Sequence, residues 1–195
     1  MFGIEEHFHE HLKGPFPEQY VLISNHPTGI DVIWLPARFN VIPLSKNEIG
    51  QWPFIGRITR TAGVSCVKRD DAESRRASLV ACLHAVKEGK SLLIFPEGGC
   101  YGKDLQPFKD GAFDIAARKK IPILPIYVYY EEENTYEWGD IGPFDYIIRL
   151  LIKAKNRHAH LHIFDPIDPT GFADGEALKN YMHNYYTQLQ EKYRV

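Results

Sequence analysis

His26 and Asp31 stand five positions apart in the stretch Ser24-Asn-His-Pro-Thr-Gly-Ile-Asp31, directly after the apolar run Val21-Leu22-Ile23. A carboxylate bonded to one imidazole nitrogen fixes the ring's tautomer and leaves the other nitrogen as a proton acceptor. Such a pair is a general base, and a positioned general base contributes about 10²–10⁴ in rate. The same residues could instead form a helix-capping turn with Asp31 at the surface. Pro27 suits the first turn of a helix, where its missing N–H is not needed. That places His26 at a helix entrance and Asp31 about one turn further on.

A second stretch, Leu92-Leu-Ile-Phe-Pro-Glu-Gly-Gly99, runs from a buried strand into Pro96-Glu97-Gly98-Gly99. Two glycines let the backbone approach a ligand and expose N–H groups, which are donors suited to a developing oxyanion. A plain glycine turn is the competing reading. Glu97 stands at the strand's carboxyl end, where a purely structural acid is less expected.

These residues need a scaffold. Apolar, β-rich runs at residues 21–24, 41–45, 63–67, 91–95 and 123–129 read as buried strands. Residues 72–87 carry Leu79, Cys82, Leu83 and Val86 at helical spacing, and residues 110–119 and 174–193 are further helices. Residues 158–164 (HAHLHIF) alternate like a late strand. Strands alternating with helices predict an α/β fold, a mostly parallel central sheet flanked by helices. Ligands of such sheets bind beyond the carboxyl ends of the strands, where His26 and Glu97 both stand. The 195 residues are read as a single domain, with a motif-bearing core at about 20–167 and a C-terminal helix at about 174–193.

A net charge of −2 argues against a dedicated nucleic-acid binder. No apolar run approaches the roughly 20 residues of a membrane span, and the N-terminus has no basic start or apolar core of a signal peptide. Three cysteines, Cys66, Cys82 and Cys100, cannot all pair within the chain, which favours a reduced, cytoplasmic setting.

Further motifs complete a pattern. His26-Pro-Thr-Gly-Ile-Asp31 resembles the His-x4-Asp signature of the lysophosphatidic-acid acyltransferase family of glycerolipid acyltransferases, and Phe95-Pro-Glu-Gly98 resembles that family's Phe-Pro-Glu-Gly block. Lys46 with Pro53-Phe-Ile-Gly56, Gly63-Val-Ser-Cys-Val-Lys-Arg69, Phe108-Lys-Asp-Gly-Ala-Phe113 and Ile121-Pro-Ile-Leu-Pro125 are similar to its other blocks, in the same order. The resemblance implies transfer of a fatty acyl group from acyl-CoA or acyl-carrier protein to the hydroxyl of a lyso-lipid such as 1-acylglycerol-3-phosphate, in phospholipid biosynthesis. It assigns His26 as base and Asp31 as its orienter. Lys46 and Arg69 would bind an anionic head group, and Glu97, Gly98 and Gly99 would shape the acceptor site. No acyl-enzyme is implied, so Cys100 need not be a nucleophile. No metal or cofactor beyond the acyl donor is expected.

The family block usually continues Thr-Arg-Ser, whereas this chain has Gly99-Cys100-Tyr101. The absent arginine is one the family pattern associates with phosphate. Lys103 or Lys109 could compensate, or the acceptor could be phosphate-free, such as a lyso-aminoacid lipid. A non-catalytic lipid- or acyl-CoA-binding module and a hydrolase are the alternatives from other classes. Family members often carry N-terminal membrane helices, and this chain is expected to lack them. Residues 144–157 (FDYIIRLLIKAKNR) set Phe144, Ile147, Ile148, Leu151 and Ile152 on one helical face, with Arg149, Lys153, Lys155 and Arg157 supplying positive charge. That is the pattern of an interfacial helix, and the expected location is the cytoplasmic face of a membrane, held peripherally.

Two histidine groups remain. His7, His9 and His11 lie near a terminus, where His7 and His11 would share a helical face. His158, His160 and His162 would share one strand face, expected to be exposed. For the first group no further metal ligand is evident and termini are often mobile; for the second a zinc site is conceivable, but a plain exposed strand face is the expected reading. Tyr181, Tyr185 and Tyr186 with Leu178 and Leu189 read as the packing face of the terminal helix.

Overall fold

The structure is a computed structural model and describes residues 4–46, 65–67, 72–100, 104–132, 145, 146, 148, 149 and 158–193. Among these residues seven strands form one sheet: β1 (Glu5–Glu10), β2 (Val21–Ser24), β3 (Ile42–Lys46), β4 (Ser65–Val67), β5 (Leu92–Ile94), β6 (Ile123–Tyr130) and β7 (His158–Ile163). Their order across the sheet is β1-β7-β6-β2-β5-β3-β4. Only β6 and β7 run antiparallel; every other neighbouring pair is parallel. The helices are α1 (Asp31–Phe39), α2 (Ala72–Lys87), α3 (Gly111–Lys119) and α4 (Gly175–Tyr193). The predicted α/β architecture with a mostly parallel sheet is therefore the observed one.

The apolar runs form central strands because both faces of the sheet are covered. Along β2 and its neighbours successive side chains enter opposite cores. Leu22, Leu93 and Leu124 join one core with Trp34 and Leu35 of α1. Val21, Ile23, Leu92, Ile94 and Ile123 join the other, with Cys82 and Val86 of α2, Phe113 of α3, and Leu178, Met182 and Tyr186 of α4. At about 25 cal/mol per Å² of apolar surface, this two-sided burial is the main stabilising contribution.

Several expectations shift. The N-terminal histidine segment is an edge strand paired in parallel with β7, not a loose or helical terminus. Helix α1 begins at Asp31, so Pro27 lies in the turn before it, where the Thr28 carbonyl already accepts from the Asp31 amide. Leu79 is exposed, because α2 seats only its second half, Cys82 and Val86, in the core. On α4 the buried face follows the spacing 178, 182, 186, which turns Tyr181 outward onto Phe172. Of residues 144–157, Asp145, Tyr146, Ile148 and Arg149 are described as helical. Tyr146 is buried, Ile148 is exposed and the Arg149 guanidinium lies over the Tyr146 ring; the rest of that segment lies outside the described residues.

Candidate active site

The chain leaves β2 at Ser24, and Asn25 at once prolongs the sheet by side-chain chemistry. Its amide donates to the Val128 carbonyl and accepts from the Val128 amide, each at 2.8 Å, so it caps the end of β2 against β6. His26 follows with both backbone polar groups held. Its N–H donates to Glu97 Oε1 at 3.1 Å, and its carbonyl accepts from the Cys100 thiol at 3.1 Å. The imidazole stacks on Phe95, with ring centroids 4.0 Å apart. The turn that carries the histidine is thus tied to the turn after β5.

His26 Nδ1 lies 3.2 Å from Asp31 Oδ2. The Asp31 side chain is fully buried and that of His26 is 9% exposed, which excludes the surface-cap reading of Asp31. The carboxylate is saturated with donors. Oδ2 also accepts from the Thr28 amide at 3.0 Å, and Oδ1 accepts from the Tyr130 hydroxyl at 2.7 Å and from Trp34 Nε1 at 3.4 Å. A buried carboxylate needs such partners to remain ionised. Burial, reinforced by the neighbouring Asp31 charge, drives the Tyr130 hydroxyl well above its ordinary range, so it stays protonated and donates. With N–H fixed at Nδ1, the lone pair of His26 lies on Nε2.

Glu97 is buried, and both its oxygens accept backbone N–H groups, from His26 and from Gln106 at 2.9 Å. Burial raises its carboxyl above the usual range, opposed by those two N–H bonds and by His26. Gly98 has φ +82°, a region open to glycine and strained for other residues. The Lys109 side chain crosses it so closely that a Cβ there would meet Lys109 Cε at 2.8 Å. The Gly98 amide donates to the Phe95 carbonyl, so a free oxyanion donor in this turn must come from a later residue such as Gly99. Thr28 Oγ1 hydrogen-bonds the Tyr146 hydroxyl, joining the far helical segment to the same turn.

Of the residues expected at the site, His26, Glu97, Gly98 and Gly99 come together on the two turns after β2 and β5, and Asp31 joins them from the first residue of α1. Lys46 ends β3, its side chain lying outside the described residues, as does the whole of Arg69. Sequence reading missed Asn25, Phe95, Thr28, Trp34 and Tyr130 as supports. Their one shared sign is position: each sits at a strand end, in the turn before α1 or in its first turn.

A family model described as Acyltransferase matches residues 4–129. The chain belongs to the acyltransferase family. It is 33% identical over 174 residues to a 1-acyl-sn-glycerol-3-phosphate acyltransferase of Helicobacter pylori, covering 85% of this chain and 70% of that one. It is 29% identical over 175 residues to a lyso-ornithine lipid O-acyltransferase of Rhodobacter capsulatus, covering 83% of this chain and 63% of that one. This acyltransferase chain therefore spans about two thirds of the length of such relatives. The crystal structure of the 1-acyl-sn-glycerophosphate acyltransferase PlsC from Thermotoga maritima has the same fold, with a TM-score of 0.66 at 23% identity, covering 97% of this chain and 73% of that one.

Proposed function

We propose that this protein transfers a fatty acyl group from an acyl thioester, carried by CoA or acyl-carrier protein, to the hydroxyl of a lyso-lipid. The observation that carries this reading is the His26–Asp31 pair at 3.2 Å with its carboxylate fully buried and saturated. His26 Nε2 takes the proton from the acceptor hydroxyl as its oxygen forms a bond to the thioester carbonyl carbon. The tetrahedral intermediate collapses, the C–S bond breaks, and the thiolate leaves with the proton returned from the imidazolium. Asp31 holds the ring in the productive tautomer and offsets its positive charge during the step.

Glu97 acts on the base's position through the His26 amide. Gly98 and Gly99 line the acceptor side. Lys46 and Arg69 supply cations for an acidic head group, joined by Lys109 across Gly98. Among the described residues no helix is long and apolar enough to cross a membrane. We place the protein at the cytoplasmic face of a bilayer, docked through the cationic amphipathic residues 144–157.

One observation favours a phosphate-free acceptor as the second reading. Where the family pattern has an arginine, Cys100 turns inward to the His26 carbonyl and presents no cation. The test is free-thiol release from palmitoyl-CoA with and without lysophosphatidic acid or a lyso-aminoacid lipid, in wild type and His26→Ala. Release that needs one acceptor and needs His26 supports the transferase and names its substrate. Release without an acceptor makes the protein a hydrolase, and lipid binding without release from either CoA or carrier-protein donors makes it a binding module. Full activity in a folded His26→Ala protein overturns the mechanism.

A further inference from the structure

The two histidine groups are one structure. Parallel pairing of β1 with β7 sets Glu5 opposite His158, His7 opposite His160 and His9 opposite His162. Six imidazoles line one face of this edge. Each ring of β1, and His11 just past its end, reaches the β7 ring one step back: His7 Nε2 to His158 Nδ1 at 2.8 Å, His9 Nε2 to His160 Nδ1 at 3.1 Å, and His11 Nε2 to His162 Nδ1 at 3.0 Å. Successive rings stack, His7 on His160 at 4.8 Å and His9 on His162 at 4.4 Å. The inner end closes against Tyr193 of α4. The outer end opens to solvent, and Glu5 stands there.

At that outer end Glu5 Oε1 lies 3.7 Å from His7 Nε2, and Glu5 Oε2 lies 3.8 Å from His158 Nδ1. Three ligand atoms of two kinds converge within 4.8 Å of one another. Tetrahedral coordination at about 2.0–2.1 Å puts ligand atoms about 3.4 Å apart. The imidazole pair is slightly tighter than that and the carboxylate slightly wider, so small rotations of exposed side chains would bring all three onto one ion. We propose that Glu5, His7 and His158 bind a divalent first-row transition ion of the zinc class, with at least one position left to water.

The chemistry favours such an ion over magnesium or calcium, which take all-oxygen sites. A neutral imidazole can carry its proton on either nitrogen. His7 protonated at Nδ1 and His158 protonated at Nε2 both aim lone pairs at the ion, and the Glu5 carboxylate balances part of its charge. The side chains of His7, His158 and Glu5 are 35%, 38% and 67% exposed, so the ion has an open path. The register of β1 on β7 fixes the ligand spacing, and a bound ion would fasten the N-terminal strand to a strand 151 residues away.

The test is titration of the full chain with Zn²⁺ or Co²⁺ alone near pH 7.5, read by calorimetry, by Co²⁺ visible absorption and by thermal melting, with Mg²⁺ as control. The expected result is one ion per chain, Co²⁺ bands of four- or five-coordinate geometry, a raised Tm with Zn²⁺ and none of this with Mg²⁺. Glu5→Gln and His158→Gln should each weaken binding at least about tenfold, while His11→Gln changes it by less than about twofold. Glu5→Gln, being isosteric and exposed, tests the site even if His158→Gln disturbs the strand pairing. Absence of binding overturns the proposal. So does affinity that survives Glu5→Gln, or equal loss in His11→Gln, which would mean unselective chelation along the row of histidines.

Discussion

His26 and the row of histidines between β1 and β7 share one sheet and one side-chain type, yet their surroundings give them opposite tasks. His26 meets a carboxylate that is fully buried and bonded to three other donors, so one nitrogen is assigned and the other is left to do chemistry. In the row, imidazole meets imidazole, with carboxylates only on its outward side, Glu5 near His7 and His158 and Glu131 2.8 Å from His160 Nε2. Each contact needs one donor and one acceptor, which two neutral rings provide and two charged rings cannot. Burial and the neighbouring imidazoles push His162 down to about 4 and lower His9 as well. A histidine's chemistry is therefore set by what its second nitrogen meets. For His26 that partner arrives five residues later, in the first turn of α1. For the row it arrives from a strand about 150 residues away.

The largest effect should come from removing the carboxylate's charge. Asp31→Asn keeps the side chain's shape but lets its amide donate to Nδ1, moving the imidazole proton to Nε2. Turnover should fall by about 10²–10⁴ with a much smaller change in KM. Thiol-release kinetics on protein with an unchanged far-UV spectrum measure this. A variant retaining more than about a tenth of wild-type turnover would show that His26 does not depend on Asp31 for its tautomer.

Glu97→Gln should act next most strongly, and by another route. Its carboxylate accepts two backbone N–H groups. A glutamine can satisfy one and must turn its NH₂ toward the other, at a cost of about 1–3 kcal/mol in stability. Turnover should fall less than in Asp31→Asn, because the base remains and only its backbone anchor weakens. Urea unfolding midpoints read the first effect and kcat the second. A stability change below about 0.5 kcal/mol would mean that neither N–H needs this carboxylate.

Much of this was legible in the residues, and the failures have physical causes. The strands at β2, β5 and β6 are apolar on both faces, and such runs announce buried parallel strands wherever they occur. Helix α2 has the bounds its spacing predicts. His26 with Asp31, and Phe95 with Glu97, stand in short local motifs, so their proximity follows from a few turns of chain. Edge strand β1 gave no such sign. Its sequence EEHFHE buries no residue fully, with His7, Phe8 and His9 only half-buried, and its strand character comes from pairing with β7, which local pattern does not contain. The same non-locality hid Tyr130, which reaches Asp31 from a strand 99 residues on. It also concealed that the two histidine triplets face one another.

The smallest expected effect sharpens the contrast from the other side. His162 is 5% exposed, and its Nε2 is buried without a hydrogen-bond partner among the described residues. Its folded-state value of about 4 lies below the ordinary 6.5, so between these two values the unfolded chain binds the proton that the folded chain refuses. Stability from this group must therefore fall as pH drops from about 6.5 toward 4. Glu97 works in the opposite sense. Its raised carboxyl holds a proton in the folded state where the unfolded chain has lost it, so its contribution declines as pH rises above the usual carboxylate range. His162→Phe keeps a ring for Tyr193 and His9 to stack on and removes the titration. Urea unfolding at pH 7 and at pH 4.5 should show a smaller acid loss in the variant than in wild type, with the Glu97 component unchanged in both. An identical acid loss would show that His162 does not carry it and would move the burden to His9, which burial and its neighbouring imidazoles also lower.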